Sequence, residues 1–553
     1  MKIADQIADY LSSNYAAWAS AGYRKNRTVA EEALARAEMC PDRVVIYFDD
    51  GSSLTYRDVI TEALAIAAAF QQMGLHKGDV VSFQLPNWRE VVTLNIAAAY
   101  LGLVLCPIIP IYRAKEVLFI LKASRSKLHL TMDAYRGHDY RAMLEQLKPD
   151  LVDLQNIVYV RPTDKCTTDF NALVDSGRGH AAAIRPTVDP DSVKLIMYTS
   201  GTTGNPKGVL HSHNSVRCTV DHIANGWEID AEDVMLMPSP VTHITGFLFG
   251  LELPFCLGTR TAFMEKWNAE EALTYIHQVK ATICVGATPF LQELVDTARR
   301  LHDGAPSMRL FGCGGASVPP ELIKSVGGIL SNCRAFRGYG STETPIVTIG
   351  FFGEDDELYL AAHTDGKVDG YDVRVVDEQG NTVAPGAEGE ILIRGPSMFI
   401  GYFNPVDNAS AFDDAGYFRS GDLGYVTQGS ALVITGRSKD LIIRGGENIS
   451  SKEIEDVLYE HPAVQEVAVV SMPHPRLGEG ICAYVIPKDE KSPPTLADLT
   501  SICDAAGLAK QKWPERVEIV TELPRTAAGK IKKYELRAQI LRKLDHGKPV
   551  SRA

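Results

Sequence analysis

The 553-residue sequence has ten cysteines, but it lacks a Cys-x-x-Cys pair and any cluster of cysteine with histidine. Zinc sites and disulfide frameworks are built on such spacings, so both are excluded as organising features. Scattered cysteines are typical of small buried thiols in a reducing compartment. We therefore expect a cytoplasmic protein without a structural metal.

A long apolar run is also missing. The most apolar stretch, 96–111, contains Pro107 and Pro110, and it is shorter than the roughly 20 residues that a membrane-spanning helix needs. We expect a buried helix that runs into a strand. The first residues carry acids and lack the apolar region of a signal peptide, and the last residues form no peroxisomal address.

The sequence has no excess of positive charge. Its 56 lysines and arginines are outnumbered by 69 acids, which gives a net charge of −13. This balance argues against general binding to nucleic acid or to acidic membranes. A local cationic pocket for an anionic small molecule remains compatible with it, and a homodimer is left open.

The length and the alternation of segments predict a layered α/β protein with more than one domain. Short β-branched runs such as Val44–Phe48 and Val80–Leu85 alternate with helix-length segments. After about residue 365 short strands between glycine-rich turns predict a small β-rich subdomain. From about Lys439 the pattern becomes compact α+β.

The sharpest local motif is segment 198–209, Tyr-Thr-Ser-Gly-Thr-Thr-Gly-Asn-Pro-Lys-Gly-Val. Its glycines and hydroxyl side chains leave backbone and side-chain donors free to surround phosphate oxygens, and Lys207 adds a positive charge. It is not a Walker A loop, because Pro206 precedes the lysine and Gly208 follows it. The alternative is a polar surface loop without function.

This segment resembles the signature loop of the adenylate-forming superfamily, which includes acyl-CoA synthetases, nonribosomal-peptide adenylation domains and beetle luciferases. The family's other motifs follow in order at 312–317, 338–343, 417–422, 435–440 and 524–531. The resemblance covers nearly the whole chain. It implies a large N-terminal domain, 1–436, and a small mobile C-terminal domain, 437–553, with a hinge near Lys439.

The resemblance also implies the site residues. The catalytic residues would be Lys530, Glu343, Thr342 and His243, with Glu343 as the Mg²⁺ ligand. The residues that bind ATP or CoA would be Thr199, Ser200, Gly201, Thr202, Thr203, Gly204, Lys207, Gly314, Gly315, Ala316, Tyr339, Gly340, Thr342, Asp422, Arg437, Gly445 and Gly446. Taken alone, each of these motifs could equally be an ordinary turn, a capped helix start or a solvated loop.

The implied reaction joins a carboxylate to the α-phosphorus of ATP and then passes the acyl group to a thiol. Both first reactants are anions at neutral pH, so the site must supply positive charge and alignment. The family would place Lys530 in the site for adenylation, and rotation at Lys439 would replace it with 444–448 for thiolysis. The implied activity is that of an acid–CoA ligase using ATP, Mg²⁺ and CoA.

The acid is expected to be a medium-chain fatty, alicyclic or aryl acid, as in ligases of fatty acid metabolism. Ile244 stands where relatives that activate amino acids carry an aspartate, and an unpaired buried ammonium would be costly. His243 could gate the acyl pocket, or it could be a packed core residue. Three alternatives remain: loading of a carrier-protein thiol, luciferase-like oxidation of the adenylate, and a nucleotide sensor without catalysis.

Overall fold

A computed structural model describes residues 25–164, 169–181, 188–199, 206–315, 318–353, 357–444, 447–526 and 529–546. Two seven-stranded sheets form the larger part of the chain. In spatial order the first sheet contains strands Gly401–Tyr402, Lys207–Ser212, Val193–Thr199, Val104–Pro107, Val80–Gln84, Leu128–Thr131 and Asn156–Tyr159. The second contains Arg334–Gly338, Leu310–Gly314, Ile283–Gly286, Val234–Met237, Arg260–Phe263, Val44–Phe48 and Ser53–Thr55.

Most neighbouring strands of both sheets are parallel, and helices connect them. The helices of this part are Val29–Met39, Tyr56–Gln72, Arg89–Leu101, Ala114–Ser124, Tyr140–Leu147, Phe170–Arg178, His213–Gly226, Ile244–Gly246, Leu253–Leu257, Ala269–Val279, Thr288–Leu301, Pro320–Val326 and Leu358–His363. A π-helical segment, Phe247–Glu252, joins two of them. The predicted layered α/β class is confirmed.

The apolar stretch at 96–111 forms a helix and a strand, as predicted. Helix Arg89–Leu101 is buried along most of its length and ends at Gly102, whose φ of 65° is the left-handed conformation that commonly closes helices. Strand Val104–Pro107 follows and is fully buried. Among the described helices, none is both long enough and apolar enough to cross a membrane.

A third sheet forms the small β-rich subdomain predicted after residue 365. Its four antiparallel strands are Asp372–Val376, Gly389–Arg394, Phe418–Val426 and Leu432–Arg437. Alternate side chains such as Ile391, Ile393 and Leu432 point into one small core. Two short pairs, Ala134–Tyr135 with His138–Asp139 and Thr348–Ile349 with Lys367–Val368, lie elsewhere.

The C-terminal part is a separate α+β unit with cores on both faces of one sheet. Its strands are Ile442–Arg444, Glu447–Ile449, Val464–His474, Gly478–Pro487 and Arg516–Ile519. Helices Ser451–Tyr459 and Leu496–Ala505 cover one face, and helix Lys533–His546 covers the other. Short 3₁₀ turns include Lys148–Asp150, Pro405–Asn408, Ser438–Asp440 and Lys510–Lys512.

A buried charge network connects the first sheet to the elements beside it. Lys194 is 1% exposed, and its ammonium lies 3.1 Å from Glu252 Oε1 and 3.1 Å from Asn95 Oδ1. The Asn95 amide also donates to Glu252 at 2.8 Å. These groups come from a strand, the π-helical segment and helix Arg89–Leu101. Removing one partner would leave an uncompensated buried charge.

We therefore expect Lys194→Met to destabilise the N-terminal part by about 3–5 kcal/mol, because Glu252 would lose its counter-charge. Thermal denaturation followed by circular dichroism measures the effect as a lower melting temperature. The more exposed pair Lys127–Asp79, with Nζ and Oδ1 at 2.7 Å, provides the control. Lys127→Met should change stability by less than about 1 kcal/mol. Equal shifts in the two variants would contradict the role of the buried pair.

Candidate active site

Many of the predicted site residues meet in a crevice between the second sheet and the C-terminal unit. A cavity of about 420 Å³ opens there, and a neighbouring one of about 410 Å³ shares part of its wall. The predicted residues that line the first are His243, Gly314, Gly315, Tyr339, Gly340, Thr342 and Lys530. The second cavity adds Asp422 and Arg437.

Thr199, Lys207 and Glu343 do not line either cavity, and the other predicted residues lie outside the described part of the chain. Thr199 ends strand Val193–Thr199, and Lys207 begins the antiparallel strand that follows, so the two pair directly across the phosphate-loop segment. Glu343 adjoins Thr342 of the cavity wall. The residues outside the described part are Ser200, Gly201, Thr202, Thr203, Gly204, Ala316, Gly445 and Gly446.

Glycines at the carboxyl ends of parallel strands make room for the crevice. Strands Ile283–Gly286, Leu310–Gly314 and Arg334–Gly338 all end there on a glycine. A Cβ on Gly314 would lie 2.5 Å from the carbonyl oxygen of Gly338, closer than real Cβ contacts allow. The carboxyl ends of parallel strands are where open α/β sheets commonly bind ligands.

Asp422 is the most buried carboxylate of the crevice, with 3% of the residue exposed. It pairs with Arg437 across the third sheet, and Arg437 Nε donates to Asp422 Oδ1 at 2.7 Å. The Tyr339 hydroxyl donates to Oδ2 at 2.6 Å. Burial, and then the charge of Asp422, raise the pKa of Tyr339 well above its ordinary value, so the phenol stays protonated. Each carboxylate oxygen keeps lone-pair capacity for a further donor, such as a ribose hydroxyl.

Lys530 enters the crevice from a turn of the C-terminal unit. The Thr526 N–H donates to the Lys530 carbonyl at 2.7 Å, and the Lys530 N–H donates to Thr526 Oγ1 at 3.1 Å. Desolvation, followed by the charge of Arg437, lowers the pKa of Lys530. Asp422 and Glu343 act in the opposite direction. Lys530 lines the same cavity as Asp422 and Arg437, and the charges of Asp422 and Glu343 both act on it.

The lysine turn is held by an ion pair that crosses the C-terminal unit. Arg525 forms this pair with Glu466 of strand Val464–His474. The same guanidinium donates to the Gly529 carbonyl at 2.7 Å. Arg525 thus links a strand of the sheet to the residue directly before Lys530.

His243 lies on the other side of the cavity, where it caps the short helix Ile244–Gly246. Its Nδ1 accepts a long hydrogen bond of 3.5 Å from the Thr245 N–H. Desolvation, followed by the charge of Lys530, lowers the pKa of His243 to about 4. The imidazole is therefore neutral at pH 7, which suits a wall or a gate better than a general acid.

The backbone around Thr342 and Glu343 is fixed from two directions. The carbonyl of Thr342 can only accept, so His211 Nε2, 2.8 Å away, must be the donor. Burial lowers the pKa of His211 to about 4, so this imidazole is a neutral tautomer. The Phe399 N–H donates to the Glu343 carbonyl at 2.7 Å.

Apolar and small residues form most of the cavity wall, which also includes the charged residues Glu293, Glu466, Arg525 and Lys530. Segments predicted for the acyl pocket contribute Pro240, Ile244, Gly286, Ala287, Pro345 and Ile346. Trp227 and Phe336 complete this wall, with ring centroids 5.3 Å apart, and Trp227 also stacks on Phe249 at 5.5 Å. This part of the cavity suits an apolar group.

Comparison with known proteins agrees with these arrangements. Residues 34–403 match the family model of the AMP-binding enzymes, and residues 453–530 match that of the AMP-binding enzyme C-terminal domain. The chain belongs to the AMP-binding enzyme family. The predicted adenylate-forming superfamily is thereby confirmed.

Two curated relatives illustrate the chemistry of the family. The chain is 33% identical to the medium-chain fatty-acid–CoA ligase of Escherichia coli K12, over 95% of this chain and 93% of the relative. It is 31% identical to the 2,3-dihydroxybenzoate-AMP ligase of Bacillus subtilis 168, over 94% and 96%. This AMP-binding enzyme is an AMP-forming acid–thiol ligase that first adenylates a carboxylic acid with ATP.

Solved structures of family members share the fold. ATP-bound MatB from Rhodopseudomonas palustris superimposes with a TM-score of 0.81 at 26% identity, covering 93% of this chain and 99% of that one. The o-succinylbenzoate CoA synthetase MenE of Bacillus subtilis, in complex with its acyl-adenylate, gives 0.79 at 26%, covering 93% and 98%. A large N-terminal and a small C-terminal domain are thus confirmed for this AMP-binding enzyme.

Several residues in or beside this crevice were not predicted from the sequence. Arg525 lies inside the 524–531 motif, so its position there could have identified it as a site residue. His211 lies two residues after the 198–209 motif, but nothing in the local sequence indicates its partner. Glu466 and Trp227 carry no sequence signal, because their contacts join distant segments.

The Glu466–Arg525 pair yields a test in this enzyme. Glu466→Gln should loosen the Lys530 turn and slow adenylation by about tenfold, since small displacements of an aligned group are costly. Thioester formation from supplied acyl-adenylate should stay within twofold. Rapid-quench measurement of each half-reaction checks this.

Glu453→Gln is the matched control. Its carboxylate pairs with Lys512 at 2.7 Å, in the same domain but away from the turn. Equal slowing of both half-reactions in Glu466→Gln, or an effect of the same size in the control, would contradict a positioning role.

Proposed function

We propose that this protein is a CoA ligase for an uncharged, apolar carboxylic acid of medium chain length or with a ring. The main observation that supports this proposal is a single crevice. Lys530 lies there with Asp422 and Arg437, and the wall near His243 is mostly apolar. A cation beside a nucleotide site and a neutral acyl wall fit acyl-AMP formation.

In the proposed adenylation, Asp422 and Arg437 hold the ribose and Lys530 offsets the charge that builds up between carboxylate and α-phosphate. Thr342 and the phosphate loop around Thr199 and Lys207 bind the phosphate oxygens. Tyr339 is expected beside the adenine, although its hydroxyl already donates to Asp422 at 2.6 Å. In this arrangement the nucleotide would be bound by hydrogen-bond donors that the protein already holds in place.

The residues around Glu343 fit a Mg²⁺ ion. Glu343 Oε1 accepts from the Tyr402 hydroxyl at 2.9 Å, and within the described part of the chain no cation pairs with this carboxylate. The described residues contain no cluster of three or more metal-binding side chains. One carboxylate plus substrate phosphates is the set by which Mg²⁺ is usually bound. Glu343 would hold the ion, which would neutralise phosphate charge.

The neutral wall supports an acid with no second charge. Ile244 and Ile346 line the cavity, and Trp227 and Phe336 close it. Beside these four side chains, a second carboxylate or an ammonium on the acyl group would be desolvated without a partner, at a cost of several kcal/mol. Fatty, alicyclic and unsubstituted aryl acids avoid that cost.

A basic and aromatic cluster supports CoA as the thiol. The Arg113 guanidinium lies 5.7 Å from the Tyr140 ring centroid, and that of Arg136 lies 4.9 Å from the Tyr135 centroid. Neither arginine forms an ion pair with a carboxylate among the described residues. The cluster follows strands of the first sheet at the same sheet edge as Thr199. Arginines and aromatic rings suit a phosphorylated adenine nucleotide.

Loading of a carrier-protein thiol is the second candidate. It is favoured by likeness to the salicyl-AMP ligase/salicyl-S-ArCP synthetase of Mycobacterium tuberculosis, at 31% identity over 95% of this chain. The AMP ligase of Bacillus subtilis is a similar relative. Both candidates share the adenylation step and differ only in the acceptor.

We also propose domains 1–436 and 437–553 with rotation at Lys439. Strand Leu432–Arg437 ends the third sheet, and the 3₁₀ turn Ser438–Asp440 follows directly. Arg537 of the C-terminal helix binds Asp440 at 2.9 Å, so the helix would move with the residues after the hinge. Nine described cysteines are free, which supports a reducing, cytoplasmic setting.

Acid-dependent pyrophosphate release, measured with and without CoA, tests the proposed function. Acids from C2 to C16, with benzoate, cinnamate and cyclohexanecarboxylate, form the panel. We expect release with C6–C12 or ring acids and an acyl-CoA product. Succinate and glycine are the charged controls and should give no release above background. Release without any thioester would favour the carrier-protein acceptor, and no release at all would reject the proposal.

The role of Lys530 gives a second test. Lys530→Ala should lower the rate of adenylate formation at least about a hundredfold, because it removes the cation aimed at the reacting phosphate. Thioester formation from supplied acyl-adenylate and CoA should stay within threefold. Lys532→Ala, two residues later and paired with Glu535 at 3.0 Å in a partly exposed position, is the control. Equal loss in both half-reactions would refute this role.

A further inference from the structure

Tyr402 stands between the phosphate loop and Glu343. It belongs to the short strand Gly401–Tyr402, which pairs antiparallel with the strand that begins at Lys207. Its hydroxyl donates to Glu343 Oε1 at 2.9 Å. The Lys207 ammonium lies 4.8 Å from the centroid of its ring. One side chain thus contacts the proposed metal-binding carboxylate and the lysine of the phosphate loop.

The surroundings hold this tyrosine in place. Its N–H donates to Asn408 Oδ1 at 2.7 Å, and the Asn408 amide donates back to its carbonyl at 3.1 Å. The ring packs against Phe399 with centroids 5.0 Å apart, and the residue is 6% exposed. A buried residue whose backbone is held by two hydrogen bonds can orient a partner side chain at little entropic cost.

The contacts of Tyr402 also separate two charges of opposite sign. The Lys207 ammonium rests on the ring and lies 3.7 Å from Asp407 Oδ1, rather than pairing with Glu343. An ammonium bound to Glu343 would compete with a cation for the same carboxylate. The phenol occupies only one oxygen of Glu343 and adds no charge. The other oxygen stays available to a divalent cation.

We infer that Tyr402 is a positioning residue whose hydroxyl orients Glu343 for the divalent cation of the nucleotide complex. This inference rests on the proposed role of Glu343. It adds a residue from the 401–402 strand to a site otherwise built from the recognised motifs. Groups that bond to metal ligands commonly change metal affinity by about 10–100-fold when they are lost.

The test measures metal binding rather than turnover. Tyr402→Phe keeps the ring under Lys207 and removes only the hydrogen bond to Glu343. Mn²⁺ is titrated into enzyme saturated with α,β-methylene-ATP, and free Mn²⁺ is followed by electron paramagnetic resonance. We expect the Mn²⁺ dissociation constant to rise about tenfold. Thioester formation from supplied acyl-adenylate, which needs no metal–ATP complex, should stay within twofold.

Tyr371→Phe is the matched control. Tyr371 is also a tyrosine of the cluster that contains Tyr402, and its hydroxyl accepts from Ser397 at 2.8 Å, but it contacts neither Glu343 nor Lys207. It should bind Mn²⁺ as the wild type does. Wild-type Mn²⁺ affinity in Tyr402→Phe would overturn the inference, as would equal weakening in both variants.

Glu343→Gln separates the two levels of the proposal. If Glu343→Gln weakens Mn²⁺ binding and Tyr402→Phe does not, the positioning role fails while the metal-ligand role stands. If Glu343→Gln binds Mn²⁺ as the wild type does, the metal-ligand role in the proposed function fails first. Thermal melting of each variant, expected within about 2 °C of wild type, shows that the comparison is made on folded protein.

Discussion

The site depends on one electrostatic constraint: a lysine from one domain must face the carboxylates of another across a poorly solvated crevice. Desolvation lowers the pKa of Lys530, while Asp422 and Glu343 oppose that shift. The balance holds only while the C-terminal unit packs against the crevice. The packing of the C-terminal unit therefore affects the pKa of Lys530.

The other charges of the crevice are arranged so that none is buried alone. Asp422 is paired with Arg437 and accepts from Tyr339, and the guanidinium of Arg525 is shared between Glu466 and the turn before Lys530. Burying such networks costs desolvation energy, but their hydrogen bonds fix the positions of the side chains. The wall formed by Trp227 and Phe336 acts differently, because its apolar rings disfavour charged groups but form no ion pairs. The ion-paired groups and the apolar wall are therefore chemically distinct parts of one crevice.

Much of the fold and part of the site could be predicted from the sequence. The alternation of β-branched runs with helix-length segments indicated parallel layered sheets, and strand Val44–Phe48 has the predicted bounds. Period-2 patterns and glycine-rich turns depend on local backbone preferences, which neighbouring residues encode. The order of the motifs indicated the family, and it brought His243, Tyr339, Asp422 and Lys530 together as candidates before any contact was known.

The tertiary structure alone decided which side chains pair across long stretches of chain. Tyr402 and Glu343 are 59 residues apart, and Tyr339 and Asp422 are 83 apart. Such contacts follow from strand register and domain packing, where a shift of one residue would turn each side chain to the opposite face. The sequence by itself therefore determined the chemical class and the scaffold. The folded chain determined how Glu343 is oriented, how the Lys530 turn is held and how deep the apolar cavity is, because these properties belong to pairs of distant residues.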